Sequence, residues 1–353
     1  MELSKIGWDS FFNKEFLTYK EKGYVTGRIS LQQRELTVLT QEGEFRGIIS
    51  GRLLHKAATQ AELPVIGDWV VGKKVSFDQF LISHILPRKS KISRESATRK
   101  KRSHNVSEQV VAANVDTIFI VNSLDQEYNS RRLERYLTMV WDSTANPVII
   151  LNKSDIGTKV NEKFQLTKSI SRGVPVHITS AADKTGLRDL NSYFQQGQTV
   201  ILLGSSGVGK STLINAIIGY DYMQTKDIQK YKDHGRHTTT KRQMIILNRG
   251  GIIIDNPGMR AIQLWEGEKG LLKSFEDIAK LADRCRFSDC NHDKEPECAV
   301  QEAIHDGELS IERFKNYKNL LMEMDSQAER KERYSKYKFK KSHVSRMKKK
   351  RRK

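Results

Sequence analysis

The residues with the clearest chemical potential lie in a glycine-rich segment near the middle of the chain. This segment follows an apolar run over 199–203, typical of a buried strand, and precedes one over 213–218, typical of a helix. In that context the pattern GxxxxGKS indicates a loop whose backbone N–H groups surround phosphates at a helix N-terminus. The loop consists of Gly204, Ser205, Ser206, Gly207, Val208, Gly209, Lys210, Ser211 and Thr212. We expect Lys210 to bind the β- and γ-phosphates and Ser211 to bind Mg²⁺, so the sequence predicts a nucleoside triphosphate site.

A second motif is expected to select the base of that nucleotide. An apolar run over 147–151 is followed by Asn152, Lys153, Ser154 and Asp155. The Asp155 carboxylate can accept hydrogen bonds from N1–H and the exocyclic amine of guanine, and adenine lacks this pair of donors. Ser180 and Ala181 follow the run over 174–179 and fit a companion loop whose backbone N–H contacts the guanine carbonyl. These residues predict GTP and GDP as the ligands.

Two further segments are expected to sense the terminal phosphate. Asp255 begins a DxxG motif in which it would lie behind Mg²⁺, while the N–H of Gly258 would contact the γ-phosphate. The sequence GRHTTT occupies 235–240, between the phosphate-binding loop and this motif. Thr238 or Thr239 would complete the magnesium shell, and we assign Thr239 as the ligand; an ordinary mobile loop is the alternative.

The group that activates water is less obvious from the sequence. Many GTPases have Gln directly after DxxG, but this chain has Met259, and a thioether orients water poorly. His237 lies next to the threonines and can hydrogen-bond a water molecule. We therefore expect His237, Thr238 and Thr239 to be the catalytic residues; a loop histidine without a special role is the alternative for His237.

The order of these motifs is unusual. In ordinary small GTPases the phosphate-binding loop comes first and NKxD comes near the end, whereas here Asn152 precedes Gly204 and Asp255. The same sheet results when the original termini are joined and the chain is opened elsewhere, because domain termini usually lie close together. The sequence therefore predicts a circularly permuted GTPase domain, a parallel sheet with helices on both faces.

A separate cluster of metal-ligating residues follows the predicted GTPase domain. Cys285, Cys290, His292 and Cys298 include all three cysteines of the chain. Three thiolates and one imidazole form a tetrahedral zinc set with every position filled, so we expect one structural Zn²⁺. Helical patterns at 270–281 and 310–322 flank the cluster, which predicts a helical zinc-binding domain.

The first hundred residues have a different pattern. Five short runs with β-like alternation, at 23–30, 35–40, 44–50, 65–71 and 79–86, favour a small closed barrel. An OB-type barrel is the leading interpretation, and an SH3-like barrel is the alternative. The basic residues at 87–94 and 99–102 are interpreted as a linker that is either solvated or in contact with RNA.

Composition narrows the possible partners and the compartment. The net charge is +19, and 330–353 contains fourteen Lys and Arg against one acid, which favours a nucleic-acid partner. The mean hydropathy is −0.58, and no apolar run approaches the roughly 18 residues of a membrane span. An odd number of cysteines and the lack of an apolar segment near the N-terminus favour a reducing cytoplasm. We therefore expect a cytoplasmic protein with no membrane partner.

Together, the barrel pattern, the permuted order, GRHTTT, DNPG and the Cys/His spacing resemble the RsgA/YjeQ (YloQ) family of bacterial ribosome small-subunit-dependent GTPases. The resemblance extends over roughly residues 23–325 and implies an OB-fold, a circularly permuted GTPase domain and a helical zinc-binding domain. It also implies action in late maturation of the small (30S) ribosomal subunit, with hydrolysis that is slow alone and stimulated by the subunit. The first twenty residues and the basic tail go beyond the family pattern.

The sequence thus predicts a multidomain α/β protein. The expected divisions are 1–105 (N-terminal extension, barrel and linker), 106–265 (GTPase), 266–328 (zinc-binding) and 329–353 (basic tail). The expected function is GTP hydrolysis controlling association with the 30S subunit and its 16S rRNA, by a monomer. The alternative is an rRNA-binding remodelling factor for which GTP is mainly a structural ligand.

Overall fold

The computed structural model describes residues 1–33, 35–95, 108–222, 242–255, 268–326 and 328–329. Several predictions concern residues outside these ranges, namely those for His237, Thr238, Thr239, Gly258, the basic stretch 99–102 and the basic tail. They stay predictions.

The strands follow the predicted sequence of elements, with two additions. They are β1 (Val25–Gln32), β2 (Leu36–Thr40), β3 (Gly43–Ile49), β4 (Trp69–Lys74), β5 (Gln79–Ile85), β6 (Lys91–Glu95), β7 (Glu108–Ala113), β8 (Thr117–Ser123), β9 (Asn146–Asn152), β10 (Val176–Ile178), β11 (Thr199–Leu203), β12 (Arg242–Ile246) and β13 (Ile252–Asp255). The sequence patterns do not predict β6 and β7.

The α-helices lie between these strands and after them. They are α1 (Ser10–Lys20), α2 (Gly51–Lys56), α3 (Ser130–Asp142), α4 (Val160–Ile170), α5 (Lys210–Ile218), α6 (Glu268–Ser274), α7 (Glu276–Ala282), α8 (Ala299–His305) and α9 (311–326). The pattern over 270–281 predicts one helix, but the structure has two, because Phe275 leaves the helical conformation at φ −120° and ψ 39°. No helix in the described ranges is long and apolar enough to cross a bilayer.

The first five strands close into a barrel in the order β1-β2-β3-β5-β4, with β4 pairing back to β1. β3 and β5 are parallel, while the other neighbours in the barrel are antiparallel. Alternate side chains of the strands fill the interior, among them Ile29, Val38 and Phe80, which are fully buried. This is the five-stranded closed topology of an OB-type barrel, so the leading interpretation of the sequence is confirmed over the SH3-like one.

The central sheet has the order β10-β9-β8-β11-β13-β12. Its first five strands are parallel. β8, β9, β11 and β13 are almost fully buried between helices on the two faces of the sheet, whereas β10 at the edge is half-buried. β12 differs from the predicted parallel arrangement, since it runs antiparallel to β13. β12 also pairs with β1 of the barrel, so one continuous sheet joins the barrel to the central domain.

Part of the segment expected to be a basic linker is a strand. β6 pairs antiparallel with β7, and Ile92 on β6 is buried in the same apolar core as Val111 on β7. The sequence does not indicate this strand, because most of its residues are polar or charged and only Ile92 is an apolar residue that faces the core. The chain therefore leaves the barrel along a packed two-stranded ribbon.

The N-terminal extension bridges the barrel and the central domain. Asp9 caps α1, and the Phe12 and Phe16 rings pack with Trp69 of the barrel. The buried Arg28 guanidinium donates to the carbonyl oxygens of Ile6, Gly67 and Asn114, which belong to these three parts. Burial lowers the pKa of Arg28 to about 10, against the nearby carboxylates of Asp116, Asp68 and Asp9.

The C-terminal helices pack directly on α3 of the central domain. Gly270 on α6 lies so close to the backbone of Thr138 that an added methyl group would be 1.9 Å from its carbonyl oxygen. Glu134 on α3 is 3% exposed and accepts hydrogen bonds from Arg313 and Asn316 on α9. Arg313 also forms two bonds of 2.8 Å to the Asp277 carboxylate on α7. The interface therefore has an ionic centre surrounded by close helix packing.

Candidate functional site

The predicted nucleotide-binding motifs converge at one edge of the central sheet. β8, β9, β10, β11 and β13 are parallel, so their carboxyl ends meet at that edge. Asn152 ends β9, Gly204 follows β11, Asp255 ends β13, and Ser180 lies just after β10. Ligands of open α/β sheets bind outside the carboxyl ends of the strands, and the permuted chain order leaves this arrangement intact.

The phosphate-binding loop turns sharply from β11 into α5. Gly204 has a φ of 155°, and a methyl group at its Cα would lie 2.4 Å from the carbonyl oxygen of Val121. Gly209 has a φ of 92° and provides the N-cap position of α5. Lys210 Nζ donates to the carbonyl oxygens of Gly204 (2.8 Å) and Ser205 (2.6 Å), so its ammonium group is held against the loop. These glycines and this cation fit a loop that binds phosphate.

Asn152 joins three of the predicted motifs. Its side-chain amide donates to the carbonyl oxygen of Val208 in the phosphate-binding loop at 3.0 Å. Its side-chain oxygen accepts from the Thr179 hydroxyl and from the backbone N–H of Ala181. Asn152 is 1% exposed, so these bonds fix the relative positions of the segments in a site shielded from water.

Asp155 and Ser180 lie in contact, as the two parts of a base site require. The Ser180 hydroxyl donates to Asp155 Oδ1 at 2.7 Å, and the N–H of Ser154 donates to the carbonyl oxygen of Thr179 at 3.1 Å. These bonds hold the NKxD segment against the Ser180–Ala181 loop. The second carboxylate oxygen of Asp155 forms no hydrogen bond to another described residue, and Oδ1 can accept a second bond beside that from Ser180. Both oxygens can therefore accept from a paired donor such as guanine.

Asp255 is the described residue of the DxxG motif. Burial raises its pKa to about 6, although the Lys210 ammonium group opposes this shift. A carboxylate in such a position is stabilised in its ionised form by a nearby cation. Ser211 and Asp255 therefore fit the described part of a magnesium site, whereas Thr239, Thr238, His237 and Gly258 lie outside the described residues.

Arg132 and Asp125, which the sequence analysis did not identify, also contact these motifs. Arg132 at the start of α3 donates to the Ser205 hydroxyl in the phosphate-binding loop at 2.8 Å. Asp125, just after β8, forms a 2.8 Å ion pair with Lys153 of NKxD. Arg132 and Asp125 are distant in sequence from the residues that they contact, so no local motif could indicate these contacts. The one sequence feature that could have pointed to them is their position after a strand of the parallel sheet.

The predicted metal ligands form a single cluster. The ligand atoms of Cys285, Cys290, His292 and Cys298 all lie within 4.8 Å of one another. The sulfur atoms of Cys285 and Cys298 are 3.8 Å apart, and His292 Nδ1 is 3.5 Å from each. Tetrahedral zinc with Zn–S of about 2.3 Å and Zn–N of about 2.0 Å gives edges of about 3.8 and 3.5 Å. The four side chains are thus compatible with one Zn²⁺ ion.

The surroundings of the cluster favour the thiolate form of Cys285 and a rigid loop. Burial raises the pKa of Cys285, but hydrogen bonds from the N–H groups of Val300 and Ala299 on α8 bring the net shift downwards. The exposed Glu295 carboxylate accepts from three backbone N–H groups of the loop over 291–294, which lower its pKa to about 2. These hydrogen bonds constrain the backbone of the loop over 291–294, next to the metal ligands.

Comparison with known proteins gives consistent relatives. A family model described as RsgA GTPase matches residues 85–265. The small ribosomal subunit biogenesis GTPase RsgA 2 of Lactiplantibacillus plantarum is 43% identical over 309 residues, which cover 87% of this chain and 86% of the relative.

Solved structures show the same architecture. The crystal structure of YjeQ from Thermotoga maritima is 26% identical with a TM-score of 0.61, over 85% of this chain and 98% of that one. The crystal structure of YloQ, described as a circularly permuted GTPase, is 24% identical with a TM-score of 0.59, over 86% and 96%. These likenesses, together with the observed barrel and the Cys/His cluster of this chain, confirm the predicted fold class. With the family model matching half of its length and this degree of identity to a curated relative, the chain belongs to the RsgA GTPase family of GTP-hydrolysing enzymes.

Proposed function

We propose that this protein hydrolyses GTP to control its association with the small ribosomal subunit during late maturation. The observation that supports this most directly is the convergence of Asn152, Asp155, Ser180 and the phosphate-binding loop at one sheet edge, in a chain whose curated relatives are named small ribosomal subunit biogenesis GTPases. Hydrolysis is slow in the free protein and is stimulated by the subunit.

Each residue of the nucleotide site has a role in this proposal. Asp155 and the N–H of Ala181 bind guanine, and Lys210 with the loop N–H groups binds the phosphates. Ser211, Thr239 and Asp255 are the residues that would hold Mg²⁺, which would supply positive charge to the phosphates. The N–H of Gly258 contacts the γ-phosphate, and His237 orients the attacking water molecule.

The remaining parts of the chain serve binding to RNA. Structural Zn²⁺ on Cys285, Cys290, His292 and Cys298 stabilises the loop between α7 and α8. The basic tail over 330–353 contacts the phosphate backbone of 16S rRNA, which the net charge of +19 favours. The protein acts as a cytoplasmic monomer without a membrane partner.

The GTPase rate measured against different ribosomal particles tests this proposal. We expect single-turnover hydrolysis to rise by orders of magnitude with small subunits, and to rise little with large subunits or naked 16S rRNA. Asp155→Ala, which removes guanine recognition, serves as the control for the GTP site. A rate that small subunits leave unchanged, together with retained GTP binding, would favour the alternative in which GTP is a structural ligand.

A further inference from the structure

Asp125 lies outside the recognised motifs, but it forms an ion pair with Lys153 of NKxD. Asp125 lies just beyond the end of β8 at Ser123, and it is separated from Lys153 by 28 positions in the sequence. The Asp125 side chain is 18% exposed and that of Lys153 is 27% exposed, so the pair is largely shielded from water. A pair in this setting constrains geometry more strongly than a fully exposed one.

The Lys153 side chain runs from a constrained backbone turn to the Asp125 carboxylate. Its backbone has a φ of 63°, and the bond from Ser154 N–H to Thr179 holds the chain in this left-handed turn. A methyl group placed on Gly209 would lie 3.9 Å from Lys153 Cε, so the alkyl stem passes beside the phosphate-binding loop. The ammonium group then reaches Asp125 Oδ2 at 2.8 Å.

Asp125 is itself held by several donors. Oδ1 accepts from the Ser123 hydroxyl at 2.6 Å and from the N–H of Glu127 at 2.8 Å. The Lys163 ammonium group on α4 donates to the carbonyl oxygens of Leu124 and Asp125. Partial burial acts to raise the pKa of Asp125, but the bonds from Lys153, Ser123 and Glu127 lower it to about 2. The carboxylate is therefore ionised and oriented towards Lys153.

We propose that Asp125 is a positioning residue for guanine nucleotide binding, because it fixes the Lys153 side chain as one wall of the base site. The methylene groups of Lys153 offer an apolar surface to the face of the purine ring, next to the edge that Asp155 recognises. This inference rests on the proposed guanine site at Asp155, and it adds a residue that acts through Lys153 and does not itself touch the nucleotide.

Affinity for GDP in matched variants tests this role. We expect Asp125→Asn, which keeps the side-chain shape and removes the charge, to weaken GDP binding about three- to tenfold. Lys153→Met, which keeps an unbranched stem without the charge, should weaken it by a similar factor. Glu127→Gln changes the same charge two residues away on an exposed side chain, so it should leave affinity within about twofold.

A double variant separates positioning from general stability. If Asp125 acts through Lys153, Asp125→Asn should have no further effect in the Lys153→Met background. The ratio of affinities for GDP and inosine diphosphate should stay unchanged in Asp125→Asn, since the two ligands differ only in the exocyclic amine. Asp155→Ala should weaken the binding of GDP more than that of inosine diphosphate, because the Asp155 carboxylate recognises the exocyclic amine.

Three results would overturn the inference. If Asp125→Asn binds GDP as tightly as the wild type, Asp125 does not position the base site. If Asp125→Asn loses as much GDP affinity in the Lys153→Met background as in the wild type, Asp125 does not act through Lys153 and is merely structural. Unchanged GDP affinity in Asp155→Ala would instead refute the guanine site itself, and the inference with it. Thermal melting of each variant identifies one that fails to fold. If Asp125→Asn does not fold, the GDP affinity of Lys153→Met tests whether the fixed Lys153 side chain supports base binding.

Discussion

Asn152 lies where three segments of the nucleotide site meet, and it shows what residue types alone can predict. The motif indicates a guanine site, because an NKxD sequence after an apolar strand, in the same domain as a phosphate-binding loop, is typical of guanine recognition. The bonds from Asn152 to Val208 and Ala181 could not be predicted, since they join residues that only the sheet brings together. The contacts of Arg132 and Asp125 could not be predicted for the same reason.

Asp255 gives a prediction at this scale. Burial raises its pKa from 3.8 to about 6, so the ionised form is disfavoured in the folded protein. The folded state binds more protons than the unfolded state between about pH 4 and pH 6, and stability therefore falls as pH rises through this window. We expect Asp255→Asn to stabilise the nucleotide-free, Mg²⁺-free protein by about 1–3 kcal/mol at pH 7.

Denaturant unfolding across this pH range provides the measurement. The gain of Asp255→Asn should grow between about pH 4 and pH 6 and then stay constant. The same variant should bind GTP with Mg²⁺ less tightly, because an amide compensates a cation poorly. A gain that is independent of pH would contradict the raised pKa.

At the scale of elements, α3 is the helix that contacts both the nucleotide site and the C-terminal helices. Arg132 in its first turn bonds to Ser205, and Glu134 two residues later lies in the ionic centre with Arg313. Burial raises the pKa of Glu134, although the Arg313 guanidinium opposes this shift. α3 is therefore a short physical connection between the phosphate-binding loop and the C-terminal helices.

Substitutions of buried and exposed ion pairs between α3 and the C-terminal helices should differ strongly in their effect on the free energy of unfolding. We expect Glu134→Ala to lower the free energy of unfolding by about 3–5 kcal/mol, because it leaves Asn316 and part of Arg313 buried without a partner. Glu323→Ala removes the more exposed pair with Arg135 and should cost about 1 kcal/mol or less. Urea unfolding of both variants in the zinc-loaded state compares them, and equal losses would contradict the buried centre.

The elements that sequence reasoning predicts well are those with strong apolar patterns. Every strand of the central sheet is expected near its observed position, because each coincides with a mainly apolar run. The sequence does not predict β6, because lysine, serine and arginine surround its single buried isoleucine. β12 is expected in the sheet, but its antiparallel pairing and its contact with β1 depend on tertiary structure.

At the scale of the whole molecule, the metal cluster and the nucleotide site are separate units joined through α3. No hydrogen bond joins the described residues of the phosphate-binding loop to Cys285, Cys290, His292 or Cys298. We therefore expect removal of zinc by a chelator under reducing conditions to unfold the loop between α7 and α8 while GDP affinity stays within about twofold.

Hydrogen exchange and zinc content, measured on the same samples, provide the test. Protection should be lost over 283–305 and retained over 199–218. Restoring one equivalent of zinc should restore the lost protection. Protection that is unchanged after complete loss of zinc would contradict a structural role for the ion.

The central claim is that the bound nucleotide determines the affinity of the protein for the small ribosomal subunit. The most direct test is co-sedimentation of the full chain with purified small subunits, in the presence of either a non-hydrolysable GTP analogue or GDP. We predict binding at least about tenfold tighter with the analogue, which corresponds to about 1.4 kcal/mol of coupling between the two sites. Equal affinity in the two nucleotide states would contradict the claim.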